Sequence, residues 1–253
     1  MNVSGNTILI TGGGSGIGRG LAEAFLKAGN QVIIAGRRKG LLDEVTAANP
    51  GMKSIVLDIE NALSIQAVGQ RLAKDFPSLN VVIQNAGIMR GEKLTQDHLA
   101  DAEATITTNL LGPIRLTSSL LPLLIKQSKA TIMTVTSGLA FVPLVFTPTY
   151  CATKAAMHSY SQSLRWQLSN SNVEVVELIP PYVQTELTGP HQKTDPRAMP
   201  LADFIAEVMQ IIRDNPNATE ICVERVKMLR LAAETGKLEQ TFKGLNEAMA
   251  ARF

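Results

Sequence analysis

Thr7-Ile8-Leu9-Ile10-Thr11-Gly12-Gly13-Gly14-Ser15-Gly16-Ile17-Gly18 is the stretch on which the reading of this chain turns. It opens with a short β-branched run, Thr7 to Ile10, and passes through a glycine turn. Ile17, Leu21, Ala24, Phe25 and Ala28 then recur at helical spacing until Gly29, where a left-handed C-cap is easy. Strand, turn and helix follow one another. Glycine lets the chain turn tightly and lets a ligand approach the backbone. The N–H groups and dipole of the helix start can then hold a pyrophosphate. The spacing is T-G-x-x-x-G-x-G rather than a literal G-x-G-x-x-G. A Walker loop is excluded because Arg19, not Lys, follows Gly18, and a G-x-S-x-G elbow because Ile17 stands where its last glycine would be. A dinucleotide is favoured over a glycine-rich turn that binds nothing.

Outward from this unit, short β-branched runs alternate with longer stretches of helical period. Strands are expected at Thr7 to Ile10, Gln31 to Ala35, Ser54 to Asp58, Val81 to Gln84, Thr131 to Thr136, Glu174 to Ile179 and Glu220 to Val223. Most are apolar on both faces, as in a parallel sheet covered by helices on each side. The expected fold is a single α/β domain over 1–253, three-layered, doubly wound and Rossmann-like, with a mostly parallel seven-stranded sheet. Long helices are expected from Asp97 to Lys126 and from Tyr150 to Ser169. Glu186 to Pro200, with Gly189, Pro190, Pro196 and Pro200, reads as a mobile surface loop that could act as a lid over substrate.

Composition narrows the function. Against 22 acidic residues stand 24 Lys and Arg, a formal +2, so no single-sign field points to nucleic acid. No apolar run is long enough to span a bilayer or form a signal-peptide core, which predicts a cytoplasmic protein without membrane insertion. Cys151 and Cys222 read as packed thiols, and His98, His158 and His191 form no zinc motif, so no metal is expected.

Arg37 and Arg38 follow the second strand, where an acidic residue would bind the ribose hydroxyls of NAD; Gly36 occupies that place. Two guanidiniums there suit a 2′-phosphate and favour NADP(H) over NAD(H), the alternative being a solvated basic pair beside Lys39. Tyr150 and Lys154 lie four positions apart in a helix-favouring segment, hence on one face. An ammonium beside a phenol, whose ordinary pKa is about 10, favours the phenolate and makes proton exchange easier. Ser137 follows the strand Thr131 to Thr136, at the carboxyl edge that also carries the glycine turn.

The glycine turn at 11–18, Asn85-Ala86-Gly87, Asn109, Ser137 and Tyr150-x-x-x-Lys154 together resemble the short-chain dehydrogenases/reductases, from the first strand through Thr185. The resemblance implies Tyr150 as general acid in reduction and general base in oxidation. Lys154 would lower its pKa and bind the nicotinamide ribose, Ser137 would hold the substrate oxygen, and Asn109 would position a relay water. It implies a cofactor cleft formed by Gly12, Gly14, Ser15, Gly16, Ile17 and Gly18, by Asp58 and Ile59 at the adenine, and by Asn85, Ala86 and Gly87. Pro180, Val183 and Thr185 would lie at the nicotinamide. Read without the family, Asp58 could cap a turn and Asn85 with Gly87 could shape one.

Where the family often has Pro-Gly, this chain has Pro180-Pro181, which with Asn109-Leu110-Leu111-Gly112-Pro113 is similar to a subgroup of oxidoreductases associated with lipoteichoic acid D-alanylation. Tyr182 would enter the substrate pocket or pack under the loop. Trp166 reads as buried packing or a subunit contact, and Met209, Met228 and Met249 as core or an apolar pocket. The partners expected are a small carbonyl or alcohol substrate and further copies of the chain, as a homodimer or homotetramer. Two rival readings are an NADP(H)-binding sensor without turnover and a serine hydrolase built on Ser137 and a histidine.

Overall fold

The computed structural model describes residues 1–250. Seven strands form one sheet: β1 (Thr7–Thr11), β2 (Gln31–Gly36), β3 (Lys53–Val56), β4 (Val81–Gln84), β5 (Ala130–Val135), β6 (Val173–Ile179) and β7 (Glu220–Cys222). Their order is β3-β2-β1-β4-β5-β6-β7 and every pairing is parallel. The connections step outward from β1 to β3, then cross back so that β4 pairs with the other edge of β1. That reversal opens a crevice beyond the carboxyl ends of β1 and β4, where open α/β sheets take their ligands.

Strand periodicity divides the core. Ile8 and Ile10 of β1 pack into one layer with Leu21 and Phe25 of α1 (Gly16–Lys27), Leu42 and Val45 of α2 (Lys39–Ala48) and Phe204 and Val208 of α7 (Leu201–Asp214). Leu9 points the opposite way, into a layer with Ile65 and Leu72 of α3 (Ala62–Asp75), Leu116 and Leu120 of α5 (Gly112–Leu124) and Leu164 of α6 (Pro148–Gln167). Each fully buried side chain of this size contributes about 2 kcal/mol. Gly29, at φ +88°, ends α1 as expected, and Asn61 caps α3 by accepting from the N–H groups of Leu63 and Ser64.

The helix expected from Asp97 to Lys126 is not uniform. It comprises α4 (Leu99–Ile106), a π-helical turn over Thr107–Leu111, and α5. The chain continues after β7 through α8 (Lys227–Arg230) to α9 (Leu238–Met249). Among the described residues no helix is long and apolar enough to cross a membrane. Trp166 is 83% exposed, so it is not buried packing within this chain. Met209 belongs to the core but Met228 is exposed, because α8 meets the fold through its other face.

Candidate active site

The glycine turn follows β1, with Gly12 at φ +69° and Gly16 at φ +53°. Its base is tied down by the Gly12 and Gly13 N–H groups, both donating to the Ala35 carbonyl, at 2.7 and 3.3 Å. A Cβ on Gly18 would fall on the Gly12 carbonyl oxygen and the Asn85 amide nitrogen, so the turn closes only with glycine there. The first turn of α1 carries no acidic residue, and the N–H groups of Gly16, Ile17 and Gly18 begin the helix without intrahelical acceptors. Those donors, with Gly14 offering no side chain toward them, suit an anionic diphosphate. Thr185 lies across the crevice, with its methyl carbon 3.4 Å from where a Gly16 Cβ would be.

Asn85 and Ala86 brace the turn from β4. Both backbone N–H groups donate to Thr11 Oγ1 at 3.0 Å, and the Asn85 side chain donates to the Thr11 carbonyl at 3.0 Å. Arg38 Nη2 reaches Ser15 Oγ at 3.3 Å, which sets one guanidinium beside the phosphate turn. Arg37 instead pairs with Glu60 at 2.7 Å. Asp58 Oδ1 accepts from the Glu60 N–H, so it does cap a turn, while Ile59 is buried.

Four side chains converge at the carboxyl end of β5. Tyr150 and Lys154 project from one face of α6 and are 6% and 5% exposed. Lys154 Nζ donates to the Val135 carbonyl at 2.8 Å and stands 5.5 Å from the centre of the Tyr150 ring. Ser137, two residues beyond that carbonyl, faces the Tyr150 phenol and accepts from the Leu139 N–H at 3.1 Å. Asn109 reaches the site because the π turn, with its one extra residue, redirects its side chain. Its amide bonds both backbone groups of Ile88 at 2.9 Å and donates to Thr153 Oγ1 at 3.3 Å. Gly87 is the meeting point: a Cβ there would be 3.2 Å from Asn109 Oδ1 and 3.8 Å from Lys154 Nζ.

Burial dominates the electrostatics. It pushes the Tyr150 phenol above its ordinary value, with the Ser137 hydrogen bond opposing. It pulls Lys154 down to about 8, with the Glu177 charge opposing. The lowering of Tyr150 expected from Lys154 does not enter: the ammonium faces the ring and the Val135 carbonyl, and burial of the hydroxyl sets the shift.

The 186–200 segment is anchored as well as exposed. Gln192 is buried and donates to the Val183 carbonyl at 2.7 Å and to Thr185 Oγ1 at 3.0 Å. Arg197, then Tyr182, whose hydroxyl donates to Asp195 at 3.0 Å, hold the Asp195 carboxyl well below the usual carboxylate range. Tyr182 thus bonds within the loop. Pro180 accepts from the Gly138 N–H, joining the β6 end to the Ser137 turn. Met249, read as core or an apolar pocket, packs with Leu245 of α9 against Tyr150, Leu144 and Cys151, alongside Met89 and Phe146; that this cluster forms a wall at Tyr150 was not legible in the sequence. Sequence reasoning also missed the fully buried Glu177, bonded to His158 and Thr136 behind the site.

The fold and this constellation define a doubly wound domain with a phosphate-binding turn and a Ser-Tyr-Lys site at its switch point. Residues 6–196 match the short chain dehydrogenase family model, and the chain belongs to that family of oxidoreductases. It is 37% identical over 252 residues to the uncharacterized oxidoreductase DltE of Bacillus subtilis (strain 168), covering 97% of this chain and 98% of that protein. It is 32% identical over 205 residues to an NADP-dependent 3-hydroxy acid dehydrogenase of Schizosaccharomyces pombe, covering 76% of this chain and 79% of that one. Among solved structures it resembles a short chain dehydrogenase from Burkholderia cenocepacia J2315 in complex with NADP, at TM-score 0.81 and 24% identity over 96% of this chain and 99% of that one.

Proposed function

We propose that this chain is an NADP(H)-dependent oxidoreductase that interconverts a carbonyl and an alcohol, with Tyr150 as its acid and base. The observation that carries the reading is the convergence of Ser137, Tyr150, Lys154 and Asn109 beside the glycine turn. The relatives named above support the cofactor. Gly12, Gly14, Ser15, Gly16, Ile17 and Gly18 would hold the diphosphate, and Arg38, with Arg37 behind it, the 2′-phosphate. Asp58 and Ile59 would border the adenine; Asn85, Ala86, Gly87, Pro180, Val183 and Thr185 would line the nicotinamide side. When bound, the nicotinamide supplies or accepts the hydride.

The chain does the rest. In reduction the Tyr150 hydroxyl gives its proton to the substrate oxygen while Ser137 Oγ donates a hydrogen bond to it, so the charge developing there is met by two donors in a desolvated site. Lys154 then returns a proton to Tyr150, and Asn109 holds the water that resupplies Lys154. Oxidation runs the same transfers backward. The segment at 186–200 closes over the substrate. The exposed Leu99, Ile106, Leu111 and Trp166 on the α4 to α6 elements are the faces that pair copies of the chain into a homodimer or homotetramer.

The test is turnover of NADPH against a panel of aldehydes and ketones. Wild type should oxidise NADPH with at least one of them, and Tyr150→Phe should lower kcat by about 10²–10⁴ while leaving the NADPH Kd within about twofold. Tight NADPH binding without turnover across the panel would leave a nucleotide-binding protein in place of an enzyme. Sedimentation showing only monomer at micromolar concentration would refute the pairing of copies.

A further inference from the structure

We propose that Glu177, held by His158, is a positioning residue that anchors the Val135-Thr136-Ser137 segment and so sets a negative charge behind the Lys154 ammonium. The proposal rests on the acid–base reading of Tyr150 and Lys154 given above. Three consecutive residues carry three functions. The Val135 carbonyl accepts from Lys154 Nζ at 2.8 Å, the Thr136 hydroxyl donates to Glu177 Oε1 at 2.6 Å, and Ser137 faces the Tyr150 phenol. The middle residue is thus clamped by a carboxylate that is 0% exposed.

Glu177 is clamped in turn. His158 Nδ1 lies 2.8 Å from Oε2 and 3.1 Å from Oε1, which makes Nδ1 the protonated nitrogen, since a carboxylate only accepts. His158 sits one helical turn beyond Lys154, so Tyr150, Lys154 and His158 form a single row on α6. The Phe141 ring meets His158 edge-on at 4.7 Å and fixes its plane. The charged groups around the pair are few. Glu220 on β7 approaches, but Arg230 on α8 holds it at 2.8 and 3.0 Å. Cys222 on β7 is a further titratable neighbour, and Lys154 is the cation that Glu177 favours from behind the site.

A buried carboxylate costs free energy unless it is fully bonded. Here Thr136 and His158 satisfy it, and its charge faces the one lysine that the reaction needs protonated. Removing the charge while keeping the shape is therefore the informative change. Glutamine at 177 can accept from Thr136 through Oε1 and donate through Nε2 to His158 in its other tautomer, so Glu177→Gln has the partners it needs to fold.

The first readout needs no turnover: a ¹³Cε-lysine NMR titration, with the Lys154 signal identified by its loss in Lys154→Met. Wild-type Lys154 should titrate near pH 8, and Glu177→Gln should lower that midpoint by about one pH unit. An unchanged midpoint in folded Glu177→Gln overturns the proposal. Should that variant not fold, Thr136→Val reads the same anchor: its Lys154 midpoint should move and Thr136→Ser should restore it, while no movement overturns the proposal. With a carbonyl substrate in hand, the alkaline limb of the kcat profile in Glu177→Gln should shift down by the same amount with the NADPH Kd unchanged. If no carbonyl is reduced at all, the proposed function fails while the titration still decides the role of Glu177.

Discussion

Replacing Lys154 with methionine should stabilise the fold at neutral pH while disabling the site, and the gain should fade as the pH rises. The lysine is 5% exposed, and burial brings it from the ordinary 10.5 to about 8. Below pH 8 the ammonium is charged in both folded and unfolded chains, and its desolvation opposes folding by about 3 kcal/mol. Between about 8 and 10.5 the native state has released its proton and the unfolded chain has not, so the unfolded chain binds more protons and wild-type stability climbs with pH. Methionine removes that cost and also the hydrogen bond to the Val135 carbonyl, worth about 1 kcal/mol. Lys154→Met should therefore exceed wild type by about 2 kcal/mol at pH 7 and roughly match it at pH 9.5. Tyr150, whose folded pKa is raised, weakens the fold only above its ordinary value near 10, and does so in both proteins. Urea unfolding without added nucleotide, followed by circular dichroism because the single tryptophan is exposed, measures the gap. A gap equal at both pH values, or a variant less stable at pH 7, would refute the assignment of Lys154 as a desolvated cation.

Arg38→Ala should weaken NADPH binding by about tenfold or more and leave NADH unchanged, while Arg37→Ala, whose side chain is paired with Glu60, should do less; calorimetric titration of both nucleotides at one salt concentration measures this. Gly18→Ala drives a Cβ into the Gly12 carbonyl and should destabilise the fold by about 1–3 kcal/mol, with weaker NADPH binding than wild type. Phe25→Ala should cost about 3–5 kcal/mol in urea unfolding, because the ring is fully buried between α1 and the sheet, and should leave the NADPH Kd close to wild type in the folded protein.

What the sequence made legible was whatever is local in the chain. The seven expected strands lie at the observed positions within a residue or two, because apolar β-branched runs bounded by glycine, proline and asparagine are self-announcing. The glycine turn was readable for the same reason. The π turn at Thr107–Leu111 was not, since its extra residue leaves no mark on the hydrophobic period, and Asn109 was found only through its motif. Arg37 was expected beside Arg38 at the cofactor, but its partner Glu60 lies on the turn after β3, out of reach of any local pattern. Glu177 and His158 are nineteen residues apart and meet only because β6 packs under α6. Of the two readings of Trp166, burial within the chain fails, because helical spacing next to leucines does not say which side of the stripe a ring occupies.

The opposed shifts at Tyr150 and Lys154 give the proposed relay a direction. In water a phenol and an ammonium hold their protons almost equally, near 10 and 10.5. Burial separates them, because it disfavours the charged form of each: the phenolate and the ammonium. Tyr150 is pushed up and Lys154 is pulled down to about 8, so a proton passed from Lys154 to a Tyr150 phenolate runs downhill. Recharging the acid after it has protonated a substrate is then favourable without a strong external acid. The same burial that costs about 3 kcal/mol of stability at Lys154 is what creates this difference. Glu177 limits it from behind: without that charge Lys154 would fall further, and less of it would remain protonated at neutral pH to serve the relay.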